Sequence, residues 1–186
     1  MNSPAAQRGQ EVRRRLLAAA AELIGERGWS AVSTRVLAER AGVTPSVVHY
    51  HFPSVQALLR EAVVTGMSAA VAELAVFLDG AHGAGDLVEA MLASVASYSG
   101  TDPTSMLFIE AYLAATRDEV LREQIADALG GLRLSLGRRL ADRGVADPDG
   151  TAAVLLAALD GVLLHRGLGG GVDGQAAAMI LRRLVT

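Results

Sequence analysis

Residues 33–52, STRVLAERAGVTPSVVHYHF, predict two short helices joined by a sharp turn. Ser33 is suited to cap the first helix, because its hydroxyl can accept a hydrogen bond from a free amide of the first turn. Gly42 supplies the left-handed residue that ends this helix. Thr44 is placed to cap the second helix, and Pro45 stands at its first position, where the missing N–H does no harm.

The second helix has only about seven residues before Pro53, so it is too short to be stable alone. We expect it to be held by packing through Val43, Val48 and Phe52. Its opposite face carries short or flat side chains that can approach base edges and phosphates, namely Ser46, Val47, His49 and Tyr50. This pattern is typical of a helix-turn-helix that reads DNA.

At this point the chain resembles the TetR family of bacterial one-component transcriptional regulators. RRRLLAAAAELIGERGW is similar to the family's first helix, and FPSVQALL to the entry into its fourth, so the resemblance covers about the first sixty residues. It implies a DNA-binding head on a helical body that binds a ligand and dimerises. The family usually has tyrosine in place of His49 and lysine in place of Val55, and both typically hold phosphates. The resemblance thus implies a different grip on the DNA backbone here.

The residue chemistry and the resemblance select the same candidates for DNA contact. Arg35 has a planar fork of donors that can reach phosphate or guanine. Two alternatives stay open, since His51 could satisfy a buried carbonyl and Val47 could serve packing. Of the consecutive Arg13–Arg15, one at most should face DNA. The DNA-binding candidates are Thr34, Arg35, Thr44, Pro45, Ser46, Val47, His49, Tyr50 and His51.

Charge is divided unevenly along the chain. Residues 1–60 hold eight arginines against four acids, a net charge of +4, whereas the remainder holds nine arginines against sixteen acids, a net charge of −7. A basic head on an acidic body would direct the head towards a polyanion. A solvated helix face without a partner would explain the same charges.

Composition points to a cytoplasmic protein with a large subunit interface. Apolar residues make up 51% of the 186 residues, yet none of the apolar runs approaches the roughly 18 uninterrupted residues of a membrane helix. The first residues carry no apolar signal segment. There is no cysteine, which excludes disulfides and thiolate metal sites. We therefore expect no membrane partner and no metal.

Helical periodicity runs through the whole chain, which predicts an all-α fold of about nine helices. We divide it into a helix-turn-helix domain, 1–52, and a regulatory ligand-binding and dimerisation domain, 53–186. The last two helices are the candidates for a homodimer interface, with Gly161 allowing a close crossing. The predicted helices span 10–27, 34–41, 45–51, 55–79, 86–99, 104–116, 118–143, a stretch from 147 into the GLGGG run, and 175–185.

The body is expected to hold a small-molecule site for an apolar or aromatic effector. Adaptable or flat apolar groups and one acid lie on its first helices. Each of them could equally be ordinary core. The ligand-binding candidates are Met67, Met91, Tyr98, Met106, Glu110 and Tyr112.

Catalysis finds little support in the sequence. His82 and His165 lack partners at metal or triad spacing, and the pairs Asp79 with His82 and Asp160 with His165 are read as loop polarity and a helix end. GLGGG follows no strand, so it does not form a phosphate loop. We expect no enzyme activity and no cofactor.

The sequence predicts a regulator that binds a palindromic operator and is released by a ligand. A small-molecule-binding module or enzyme with a vestigial head, and a nonspecific DNA-packaging protein, remain as alternatives.

Overall fold

A computed structural model describes residues 3–186, and over that range the chain is helical without a β-strand, so the all-α prediction is confirmed. Residues 1 and 2 of the predicted first domain lie outside the described residues. Short 3-10 turns occupy Trp29–Ala31 and Arg182–Val185. The α-helices of the described range are α1 Pro4–Arg27, α2 Thr34–Ala41, α3 Pro45–His51, α4 Val55–Asp79, α5 Ala84–Ser94, α6 Pro103–Ala115, α7 Glu119–Ala141, α8 Pro148–Gly167 and α9 Gly174–Leu181.

The helix-turn-helix forms at the predicted residues. Ser33 Oγ accepts from the Val36 amide at 3.4 Å, and Gly42 is left-handed with φ 62° and ψ 42°. The predicted side-chain cap by Thr44 is wrong. Thr44 holds the cap position, but its Oγ1 lies 2.8 Å from Ser46 Oγ, so the two hydroxyls satisfy each other instead of a backbone amide.

Two helix ends differ from the sequence prediction by five or more residues. α1 begins six residues early because Ser3 accepts from the Ala6 amide and Pro4 occupies the first position. α5 ends at Ser94 instead of residue 99. There the Arg166 guanidinium donates to the carbonyls of Val95 and Tyr98 at 2.7 and 2.6 Å, which fixes an unwound segment.

The interior consists of two apolar clusters that share α4. The first joins α1–α3 to the start of α4 and to α6 and α7, and its fully buried members include Leu23, Leu37 and Leu58. Trp29 packs against this cluster, as predicted for the residue that follows the Gly28 helix end. The second cluster lies between α4, α5, α7 and α8. We call α1–α3 the head and α4–α9 the body.

α4 is long and apolar enough, by length and composition alone, to cross a membrane. One such helix is weak evidence for a membrane protein. Here Leu58, Leu59 and Val63 are buried in the first cluster, and the charged Arg60 and Glu61 form ion pairs with Asp118 and Arg13. These contacts give α4 the role of a core helix that joins head and body.

One apolar face of the protomer stays exposed. α8 buries Ala152, Leu155, Leu159 and Val162, all on one side of the helix. Its other side, together with α9, exposes large apolar side chains at Val154, Leu164, Leu168, Met179 and Ile180. We call this set the α8–α9 apolar face. A Cβ built on Gly161 of α8 would meet no atom within 4 Å.

Candidate functional site

The short helix α3 has one buried and one open side. Val48 and the following Phe52 are almost fully buried and fasten the helix to the head, as predicted. Tyr50 is 85% exposed, and its ring meets the His51 ring edge-on with centroids 5.1 Å apart. His49 also faces solvent. α3 therefore presents aromatic and imidazole groups on a rigid, outward-facing surface.

The remaining DNA-binding candidates surround this surface. Ser46, Thr44 and Pro45 are exposed at the start of α3, and Arg35 is exposed at the start of α2. Thr34, Val47 and His51 are half-buried. A Cβ built on Gly9 would lie 4.0 Å from His51 Cε1, so α1 reaches the end of α3.

The arginines of the head differ in their engagement. Arg40 is held by Glu22 and Glu26 at 3.0 and 2.6 Å. Among residues 3–186, Arg35 forms no salt bridge, so its guanidinium is available to a ligand.

The Arg13–Arg15 run shows why consecutive arginines do not share one role. Arg13 pairs with Glu61 and lies over the Phe52 ring, 4.5 Å from its centroid, so it links α1 to α4 and to the end of α3. Arg14 pairs with Glu11 on the surface at 2.7 Å. Arg15 is exposed.

A cavity of about 110 Å³ lies in the body between α4, α5, α6, α7 and α8. Of the predicted ligand residues, Met67, Tyr98 and Tyr112 line it. Met91 and Met106 are not among the lining residues, and Met91 is a buried member of the second cluster. An open depression of about 320 Å³ adjoins the cavity and shares its residues Ser105, Phe108, Tyr112, Asp160 and Leu163.

Two carboxylates that the sequence did not assign to the site also line the cavity. Tyr98 Oη donates to Glu73 Oε2 at 3.2 Å, and Tyr112 Oη donates to Asp160 Oδ2 at 3.3 Å. His165 lies in the last turn of α8, as read from the sequence, whereas Asp160 lines the cavity. Its signal in the sequence is a single acid inside the apolar run AAVLLAALDGVLL. Burial raises the pKa of Asp160, and the hydrogen bond from Tyr112 offsets part of that rise.

Glu110, another predicted ligand residue, lies on the opposite side of α6 from the cavity. Its Oε2 accepts from the backbone amide of Trp29 at 2.9 Å, which ties α6 to the end of α1. A second tie joins Arg60 Nε to Asp118 Oδ2 at 2.8 Å. Burial opposes ionisation of Asp118, but the hydrogen bonds from Arg60 and the Leu121 amide outweigh it and lower the pKa.

α6 thus faces the cavity on one side and the head on the other, while α4 runs through both. A helix-turn-helix with an open second helix, set on a helical body with a cavity, defines a DNA-binding regulator with a ligand-binding part.

The sequence matches the family profile described as bacterial regulatory proteins of the tetR family over residues 16–62. It matches the tetracyclin repressor-like C-terminal domain over residues 82–186. The chain belongs to the TetR family and is a DNA-binding transcriptional regulator.

Solved structures agree with this assignment over nearly the whole chain. A candidate transcriptional regulator from Streptomyces coelicolor A3(2) is 31% identical, with a TM-score of 0.81, over 95% of this chain and 99% of that one. A TetR-family member from Streptomyces coelicolor A3 is 30% identical, with a TM-score of 0.76, over 95% and 99%. The multidrug binding protein EbrR, complexed with imidazole, is 31% identical, with a TM-score of 0.68, over 94% of each chain. No curated protein matches the sequence.

Proposed function

We propose that this regulator is a homodimeric repressor that binds a palindromic operator and is released from it by a small effector in the body cavity. The observation that carries the proposal is the open face of α3, held rigidly by its buried side. The proposed domains are 1–52 for DNA binding and 53–186 for regulation and dimerisation. Its task is binding and not catalysis, and it takes place in the cytoplasm.

The proposed DNA contacts divide by chemistry. The flat rings of Tyr50 and His49 can contact a thymine methyl, a sugar or a phosphate at the major groove. Arg35 supplies the bidentate fork for guanine or phosphate. The hydroxyls of Thr34, Thr44 and Ser46 and the imidazole of His51 serve phosphates, whereas Pro45 and Val47 offer apolar contact at the start of α3.

A dimer through α8 and α9 would cover the α8–α9 apolar face. Exposed large apolar side chains such as these commonly mark an interaction site when they lie together. A two-fold pair would place two copies of α3 in successive major grooves, about 34–36 Å apart. Gly161, where an added Cβ would meet no atom within 4 Å, leaves room for the partner's helix to approach.

The effector signal would travel through two elements. α4 contributes Met67 to the cavity and Leu58 to the head core. α6 contributes Tyr112 to the cavity and Glu110 to the tie with Trp29. An effector that favours one position of these helices would change the separation of the recognition helices, so effector and operator affinities would be thermodynamically coupled.

A duplex titration at two salt concentrations, with specific and scrambled sites, tests the DNA-binding part. Tyr50→Ala and Arg35→Ala should each weaken specific binding by about 1–3 kcal/mol per lost base contact. Arg122→Ala, which removes an exposed arginine of α7, is the matched control and should leave affinity within about twofold at fixed salt. An unchanged preference in both head variants would remove those residues from the interface.

The same titration separates the alternatives. Small-molecule binding without salt-sensitive DNA affinity would indicate a vestigial head, and equal affinity for specific and scrambled sites would indicate nonspecific packaging. Light scattering tests the dimer. Met179→Glu on the α8–α9 apolar face should give monomers, whereas Val76→Glu, at an equally exposed valine of α4, should stay dimeric. A dimeric Met179→Glu protein would contradict the proposed interface.

A further inference from the structure

The charged groups of the body cavity have one sign. Glu73 and Asp160 line it, and the other ionisable groups among its lining residues are the tyrosines Tyr98 and Tyr112. The chain has 17 arginines, and none of them is among those lining residues. The remaining walls are apolar apart from the hydroxyls of Ser94, Thr104 and Ser105.

We propose that the cavity selects small organic cations with an apolar body, and that Asp160 and Glu73 provide the counter-charge. This inference rests on the proposed function, because it names the chemical class of the effector. Tyr98, Tyr112 and the neighbouring Phe108 add aromatic surface, which attracts organic cations. An anion would meet two carboxylates instead.

Asp160 lacks a strong partner of its own. Its carboxyl accepts from the neutral Tyr112 hydroxyl at 3.3 Å, a long hydrogen bond. Within residues 3–186 it forms no salt bridge. The side chain is partly exposed to solvent, but burial of the rest penalises the ionised carboxylate and raises its pKa. A bound cation would relieve that penalty.

Neighbouring arginines do not fill this role. Arg133 of α7 shares a shallow surface groove with Asp160 but is exposed and forms no salt bridge within the described range. Arg166, one and a half turns along α8, is committed to the carbonyls of Val95 and Tyr98. Within residues 3–186, no arginine therefore forms a salt bridge with Asp160, which leaves its carboxylate free for a cationic ligand.

The cavity size limits the ligand. The site of about 110 Å³ is smaller than a cavity of ~150 Å³ that holds benzene, so a ring must also occupy part of the adjoining depression. The adjoining depression of about 320 Å³ has Asp160 and Tyr112 in common with the cavity, so a longer tail could extend outward past the charged end.

Isothermal titration of the full-length protein near neutral pH with benzylamine, benzyl alcohol and benzoate tests the proposal. These probes are nearly equal in size and carry positive, zero and negative charge. We expect benzylamine to bind at least about tenfold more tightly than benzyl alcohol, with benzoate weakest. The wild-type ranking needs no variant, and equal affinity for the amine and the alcohol would overturn the proposal.

Variants then locate the charge. Asp160→Asn should cut benzylamine affinity about tenfold while changing benzyl alcohol affinity less than about twofold, and Glu73→Gln should act in the same direction. Asp127→Asn, an exposed carboxylate of α7 outside the lining, is the matched control and should leave the ranking intact. An amine preference that survives loss of both carboxylates would refute their role.

The operator titration distinguishes this failure from failure of the proposed function. Specific DNA binding without an amine preference would overturn only the cation inference. An amine preference without specific DNA binding would overturn the proposed function instead.

Discussion

A single added methyl group at Gly25, as in Gly25→Ala, should disturb the contact between α1 of the head and α6 of the body. Gly25 lies inside α1, and a Cβ built on it would lie 2.6 Å from the Pro103 carbonyl oxygen and 3.3 Å from Pro103 Cα. Both atoms are backbone, so no side-chain rotation can make room. Gly25→Ala must therefore push α1 away from the start of α6.

Its effect on stability has two opposing parts. Replacing glycine by alanine inside a helix stabilises it by about 1 kcal/mol. Overpacking a close contact costs about 1–3 kcal/mol. Gly131→Ala in α7 isolates the first part, because a Cβ there would meet nothing within 4 Å. We expect the free energy of unfolding of Gly25→Ala to lie about 1–3 kcal/mol below that of Gly131→Ala.

Urea unfolding at one fixed protein concentration measures this difference, since the stability of a dimer depends on concentration. Equal unfolding free energies for the two variants would show that the junction of α1 and α6 is looser than the structure implies.

Three further outcomes are expected. Ser33→Ala should lower the free energy of unfolding by about 1 kcal/mol through loss of the α2 cap, measurable by urea titration; no loss would mean that the 3.4 Å contact contributes nothing. Glu110→Ala should cost about 1–3 kcal/mol and shift the emission of Trp29, the single tryptophan, because that backbone amide loses its acceptor; an unchanged spectrum and stability would contradict the tie. Asp160→Asn should raise the melting temperature of the ligand-free protein at neutral pH. Because the pKa of Asp160 is raised in the folded state, the ionised carboxylate destabilises the fold at neutral pH. In thermal scans the gain in melting temperature should therefore shrink as pH falls towards 3.8, the ordinary pKa of an aspartate. A gain that does not depend on pH would show that the charge of Asp160 is not its cause.

Local signals determined how much of the head could be predicted. The bounds of α2 and α3 follow from Ser33, Gly42 and Pro45, each of which acts on its own turn. The extent of α1 was underestimated because its start depends on Ser3 and Pro4, nine and eight residues before Val12, where the apolar helical pattern begins. The hydroxyl pairing of Thr44 with Ser46 was missed because both a cap and a side-chain contact suit that sequence.

The cavity was harder to predict, because it depends on which side of each helix meets its neighbours. The side chains of Met67 and Tyr112 face the cavity, whereas Met91 faces the second apolar cluster and Glu110 faces the head. Residue type alone cannot separate these cases. Asp160 could have been found by asking why a carboxylate interrupts an apolar helix, which is the one composition signal the site leaves.

The division of α3 into two sides has a consequence for how such a regulator can diversify. Val48 and Phe52 anchor the helix, while Tyr50 and His49 contribute almost nothing to its packing. Exchanging exposed groups of this kind usually changes stability by less than about 0.5 kcal/mol. Under the proposed DNA contacts, new operator preferences would be accessible by single substitutions that leave folding untouched, so that duplicated copies could acquire different target promoters one mutation at a time.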